Sequence, residues 1–136
     1  MMKVIMKYKL TFIYCFIVLV LSVLPSKSFP KTGITNIDKI VHFLMYFFMV
    51  IVMFLDDLLK NAPHFYKRQL SKKYKECKIS QKLLFFLFFA IIFGAIIEII
   101  QYFLPFRSAE WYDLLSNSVG AFLGIITIIL LKKIFL

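Results

Sequence analysis

Several polar side chains are spaced along strongly apolar stretches in a way that could support proton transfer on a bound polar ligand: Asp38, His42, Glu98, Gln101, Arg107, Asp113 and Asn117. Carboxylates and an imidazole take or give a proton, a guanidinium can hold phosphate through paired hydrogen bonds, and amides orient what is bound. Asp38, His42 and Tyr46 follow one another at i, i+4 and i+8 and so share a helix face. Asp113 and Asn117 repeat the i, i+4 step, while Glu98 and Gln101 take the i, i+3 step. Glu98 is the strongest signal. It interrupts the apolar run Leu83–Leu104, and a charge near the middle of a membrane helix costs about 2.5–3.5 kcal/mol on insertion scales unless it faces a partner or a cavity.

The elements that must position these groups are membrane helices. The chain has 136 residues, 62% of them hydrophobic, and a mean hydropathy of +0.87, with apolar runs too long for a soluble core of this size. A formal net charge of +10 does not point to nucleic acid, because the lysines gather between apolar runs, where membrane topology places them. Four helices are expected, at about residues 5–24, 37–55, 83–104 and 114–131. They make an all-α integral membrane protein, a compact four-transmembrane-helix bundle formed as one domain over residues 1–136. Pro25 ends the first helix, Asp56 and Asp57 stop the second, Pro105 closes the third, and Lys132 and Lys133 close the fourth. The first has a basic start but no small-residue cleavage pattern after Leu24, so it reads as an uncleaved anchor.

Lysine and arginine then set the orientation. Thirteen lie on the side holding both termini and the basic loop 56–82, against Lys27, Lys31, Lys39 and Arg107 on the other. The positive-inside rule puts both termini and that loop of the multi-pass chain in the cytoplasm; in a bacterium the membrane is the cytoplasmic (inner) one, and the other face looks toward the cell wall or periplasm. In this topology the polar residues of the outer helix halves converge near the outer leaflet. Cys15 and Cys77 fall at different depths, so no disulfide is expected, and there is no C-x-x-C metal spacing. Gly120 and Gly124 stand in G-x-x-x-G spacing and Gly94 precedes Glu98 by four. These small residues are expected to let the third and fourth helices approach closely, bringing Glu98 toward Asn117.

An ordered set of motifs carries a family resemblance. Asp38-Lys39-Ile40-Val41-His42-Phe43, Gly94 through Glu98-Ile99-Ile100-Gln101, Phe103-Leu104-Pro105-Phe106-Arg107 and Asp113-Leu114-Leu115-Ser116-Asn117-Ser118-Val119-Gly120 together resemble the VanZ family, over about Leu10 to Leu131. The long lysine-rich loop after Asp56 is the main variable part. The resemblance implies a small bacterial membrane protein, a link to teicoplanin (glycopeptide) tolerance through the resistance protein that names the family, and membership of a wider group of membrane enzymes proposed to act on lipid head groups.

Each residue also has a purely structural reading. Asp38 and Lys39 could cap and anchor a helix, His42 and Tyr46 could pack, Gln101 and Asn117 could bond between helices, and Glu98 could pair with Arg107 or His42. Two functional classes stand beside each other. In the first, a lipid head-group or cell-wall-lipid transferase or hydrolase, His42 or Glu98 is the base and Arg107 binds phosphate. Asp38 or Asp113 orients the histidine or binds a divalent cation, and Gln101, Asn117 and Tyr46 complete the pocket. In the second, the same pocket binds membrane lipids, cell-wall lipid intermediates or lipoglycopeptides without turnover, as a receptor or assembly factor. His42, Glu98 and Asp113 offer metal-ligand atoms, but their spacing matches no standard metal motif, so neither a metal nor a cofactor is assigned.

Overall fold

Long apolar stretches bounded by charges fold here as helices, since a backbone in lipid must satisfy its own hydrogen bonds. The computed structural model describes residues 8–24, 37–61, 72–107 and 110–135, and these form four helices with no strand among them. They are α1 (Lys9–Val23), α2 (Ile37–Asn61), α3 (Lys72–Tyr102) and α4 (Trp111–Phe135). Three segments are long and apolar enough to cross a membrane, Ile37–Leu59, Ser80–Tyr102 and Trp111–Lys133. At 15 residues, α1 reaches only ~22 Å at a rise of ~1.5 Å per residue, short of a ~30 Å hydrocarbon layer. The expected extension of α1 back to residue 5, the stop at Pro25 and the centre of the basic loop lie outside the described residues.

Two expectations are corrected. Asp56 and Asp57 do not stop α2, which runs on to Asn61. Both acids find partners, as described below, and so can stay inside the helix. The basic loop is also shorter than 56–82, because α3 starts at Lys72. Lysine and glutamate are good helix formers, and the membrane segment behind them extends the helix outwards.

Cross-helix hydrogen bonds fix the direction of each helix. Thr11, at the start of α1, meets Asp56 near the end of α2, and Ser22, at the end of α1, meets Gln101 at the end of α3. His42, early in α2, meets Asn117, early in α4. The helices therefore alternate up and down, with the beginning of α1 and the end of α4 at one end of the bundle. A buried core of Val18, Tyr46, Met49, Val50, Met53, Phe86, Ala90, Ile97, Ala121, Ile125 and Ile128 runs along the axis. Large apolar side chains such as Phe16, Phe85, Phe88, Ile92, Leu115 and Phe122 point outwards, as a lipid-facing surface requires.

The closest helix approach differs from the one expected. Gly120 and Gly124 lie against the backbone of α2. A Cβ on Gly120 would overlap the Phe43 carbonyl oxygen, and one on Gly124 would stand 2.9 Å from that of Phe47. The small-residue surface thus seats α4 on α2. It is Gly94 of α3 that faces the α4 side, where its Cβ position is 3.2 Å from Asn117 Nδ2 and equally near the Tyr46 ring.

Candidate functional site

The helix ends containing Ser22, His42, Gln101 and Asp113 enclose a cavity of about 110 Å³ lined by Asp38, His42, Gln101, Phe106, Arg107, Glu110 and Asp113, room for several waters or part of a head group. The local sequence builds it in steps. α3 ends in a tight turn, with Phe103 and Leu104 amides donating to the Ile100 and Gln101 carbonyls, and the following turn brings the Arg107 amide to the Leu104 carbonyl. α4 opens where the Asp113 amide donates to the Glu110 carbonyl, at 2.9 Å. Asp113 thereby occupies the first turn of α4, where the helix dipole favours an acid. Tyr102, Phe103, Trp111 and Tyr112 are exposed around the rim, an aromatic girdle of the kind found at membrane–water interfaces.

His42 is buried, and its Nδ1 lies 3.0 Å from Asn117 Oδ1. An amide oxygen only accepts, so Nδ1 is the donor, and in the neutral ring the lone pair is on Nε2. Glu98 and Asp113 are both more than nine-tenths buried. One ligand atom from each of His42, Glu98 and Asp113 falls within 4.8 Å of the others. Neither Glu98 oxygen and not Oδ1 of Asp113 has a hydrogen-bond partner among the described residues. The Glu110 backbone approaches the Glu98 carboxylate but outside hydrogen-bonding geometry.

Other groups around the cavity are satisfied. Gln101 Nε2 donates to the Ser22 carbonyl oxygen at 2.8 Å, and Arg107 Nε donates to the same oxygen at 3.1 Å. Among the described residues the latter is the only hydrogen bond of the Arg107 guanidinium, which lies at the cavity wall. Lys39 Nζ reaches Glu110 Oε2 at 3.0 Å across the mouth and lies 6.0 Å from the Tyr112 ring centroid.

Of the residues singled out in the sequence, Asp38, His42, Gln101, Arg107 and Asp113 line the cavity. Glu98 lies beside His42 and Asp113, and Asn117 lies behind His42. Tyr46 does not line it: fully buried one turn below His42, it packs against Gly94. Three contributors were not singled out as site residues: Phe106 and Glu110 of the lining, and Ser22. Ser22 acts through its backbone carbonyl, which no side-chain pattern reports. Glu110 could have been found from its opposite charge to Lys39, the one lysine within the start of α2.

The comparisons with known proteins follow the same stretch of chain. No curated protein and no solved structure matches it detectably. A protein-family model, VanZ/LLP1, matches residues 3–132, a span that contains every residue of the cavity. The chain is a helical membrane protein belonging to the VanZ/LLP1 family.

Proposed function

We propose that this protein transfers or hydrolyses the head group of a membrane or cell-wall lipid, in a pocket opening to the outer leaflet of the bacterial cytoplasmic membrane. The observation that carries the reading is the convergence of His42, Glu98 and Asp113 within 4.8 Å beside a cavity that Arg107 also lines. Lipid phosphate at the cavity would meet the terminal nitrogens of Arg107, in the fork geometry that guanidinium offers phosphate. Gln101 Oε1, buried and unpartnered, would accept from a head-group hydroxyl or amine. An incoming water or hydroxyl would give its proton to the cluster as it attacks, and the leaving oxygen would take a proton back, so that the cluster is restored. Asn117 holds the His42 ring in the tautomer this needs. Four membrane passes and cytoplasmic termini agree with the alternating helix directions and with the lysine distribution.

The experiment is comparative lipidomics of matched bacterial cells, including cell-wall lipid intermediates, expressing wild type or Glu98→Gln at equal membrane levels. A lipid formed or consumed only with wild type, lost by about 10²-fold or more in the variant, supports head-group chemistry. Identical lipid profiles accompanied by altered teicoplanin tolerance would replace it with lipid or lipoglycopeptide binding without turnover.

A further inference from the structure

Two carboxylates and an imidazole nitrogen held within 4.8 Å of one another present an electrostatic problem. Like charges at this distance in a low-dielectric interior oppose ionisation of both acids, and no nearby cation bonds to Glu98 among the described residues. Lys39 pairs with Glu110, and Arg107, held by its Nε on the Ser22 carbonyl, makes no hydrogen bond to Glu98. We propose that His42 Nε2, Glu98 and Asp113 hold a divalent transition-metal ion of the zinc class.

Three independent features agree with this. Glu98 is more than nine-tenths buried with both oxygens unpartnered, and Asp113 Oδ1 is likewise unpartnered. The Asn117 oxygen accepts from the other ring nitrogen of His42, the outer contact that orients metal-bound histidines and fixes their tautomer. Three protein ligands beside a cavity leave coordination positions for water or substrate, the open arrangement of reactive rather than structural zinc sites. Ligands at ~2.1 Å from one tetrahedral ion lie ~3.4 Å apart, so side-chain atoms held within 4.8 Å of one another must close by up to about an ångström and a half. Glu98 breaks no hydrogen bond in doing so. The imidazole nitrogen favours zinc over magnesium and calcium, which take oxygen.

This deepens the reading of the same cavity as a head-group site. A bound ion would supply Lewis-acid activation of water or of a phosphoryl oxygen, and Asp38, exposed at the cavity wall and outside the ligand set, would then be the group placed to take the proton. Binding of the ion itself does not depend on any reaction.

The test uses the full chain in detergent, stripped with a chelator and titrated with ZnCl₂, and separately with MnCl₂, MgCl₂ and CaCl₂, reading retained metal by elemental analysis and Tm by thermal denaturation. About one zinc per chain is expected, with a Tm raised by several degrees at saturation and weaker retention of magnesium and calcium. Glu98→Gln and Asp113→Asn should each weaken zinc binding by more than about tenfold, and Asn117→Ala by about tenfold through the ring orientation. Apo Tm values at or above that of wild type would show that the two acid variants are folded. Zinc retained equally by Glu98→Gln and Asp113→Asn, or no retained transition metal in wild type, overturns the site. Zinc binding without any lipid product keeps the site and removes head-group chemistry. Turnover unaffected by chelation removes the site and keeps the chemistry.

Discussion

The two ends of the helix bundle both bury acids, yet only one end satisfies them. Where α1 begins and α2 ends, Asp56 Oδ2 accepts from both the amide and the hydroxyl of Thr11 at 2.7 Å. It thereby caps α1 from a neighbouring helix, at an end whose own N-cap position, Tyr8, supplies no side-chain bond. Beside it Lys82 Nζ meets both oxygens of Asp57, again at 2.7 Å, and Lys132 lies 5.9 Å from the Phe54 ring centroid. At the other end Glu98 and Asp113 are as deeply buried but keep oxygens without partners. Buried polar groups in native proteins are rarely left this way. The contrast separates acids that hold the bundle together from acids kept available for something the bundle binds.

The comparison can be broken first at the helix contact on which the open end depends. Gly120→Ala places a methyl group on the Phe43 carbonyl oxygen, so α2 and α4 must part close to the His42–Asn117 bond. We expect a loss of about 3 kcal/mol, the upper end of overpacking effects, read by thermal denaturation in detergent. Gly94→Ala should be milder, because its nearest atoms belong to the Asn117 and Tyr46 side chains, which can turn aside.

The two ends should respond with opposite signs when an acid is neutralised. Asp56→Ala leaves the Thr11 amide and hydroxyl without an acceptor and should cost about 1.5–3 kcal/mol, the range for hydrogen bonds to charged groups. Asp56→Asn should recover part of this. Glu98→Gln in metal-free protein should leave Tm unchanged or raise it, since it removes an unpartnered carboxylate. A fall as large as that of Asp56→Ala would place Glu98 among the structural acids and end the distinction.

Smaller effects sharpen the picture. Lys82→Met breaks the pair with Asp57, whose lysine is about one third exposed. After solvent screening the loss should be no more than about 1 kcal/mol, shrinking further as salt is raised. Lys39→Gln removes the exposed pair with Glu110 and should leave Tm unaltered. Any effect of that change should appear at the cavity mouth, as altered binding of an anionic head group.

Much of the architecture was legible from residue order. The apolar runs marked α2, the membrane part of α3 and α4, and the i, i+4 steps put His42 with Asp38 on one face of α2 and Asn117 with Asp113 on one face of α4. The stop assigned to Asp56 and Asp57 failed because it treated two acids as a boundary; partners on α1 and α3, far away in sequence, make them acceptable inside a helix. The glycines of α4 were legible as a packing surface but not as one directed at α2. Spacing within a helix reports which residues share a face, not which neighbour that face meets.

Composition and periodicity determine that this chain is helical, membrane-bound and equipped with acids, an imidazole and a guanidinium at corresponding helix ends, because side-chain hydrophobicity and the 3.6-residue repeat are local properties. The meeting of His42, Glu98 and Asp113 from three helices, the shared Ser22 carbonyl beneath Gln101 and Arg107, and the difference between satisfied and unsatisfied acids arise only when the helices pack. Rotation of a helix about its axis and the depth at which it sits are set by contacts with its neighbours, and those contacts join residues that the sequence keeps far apart.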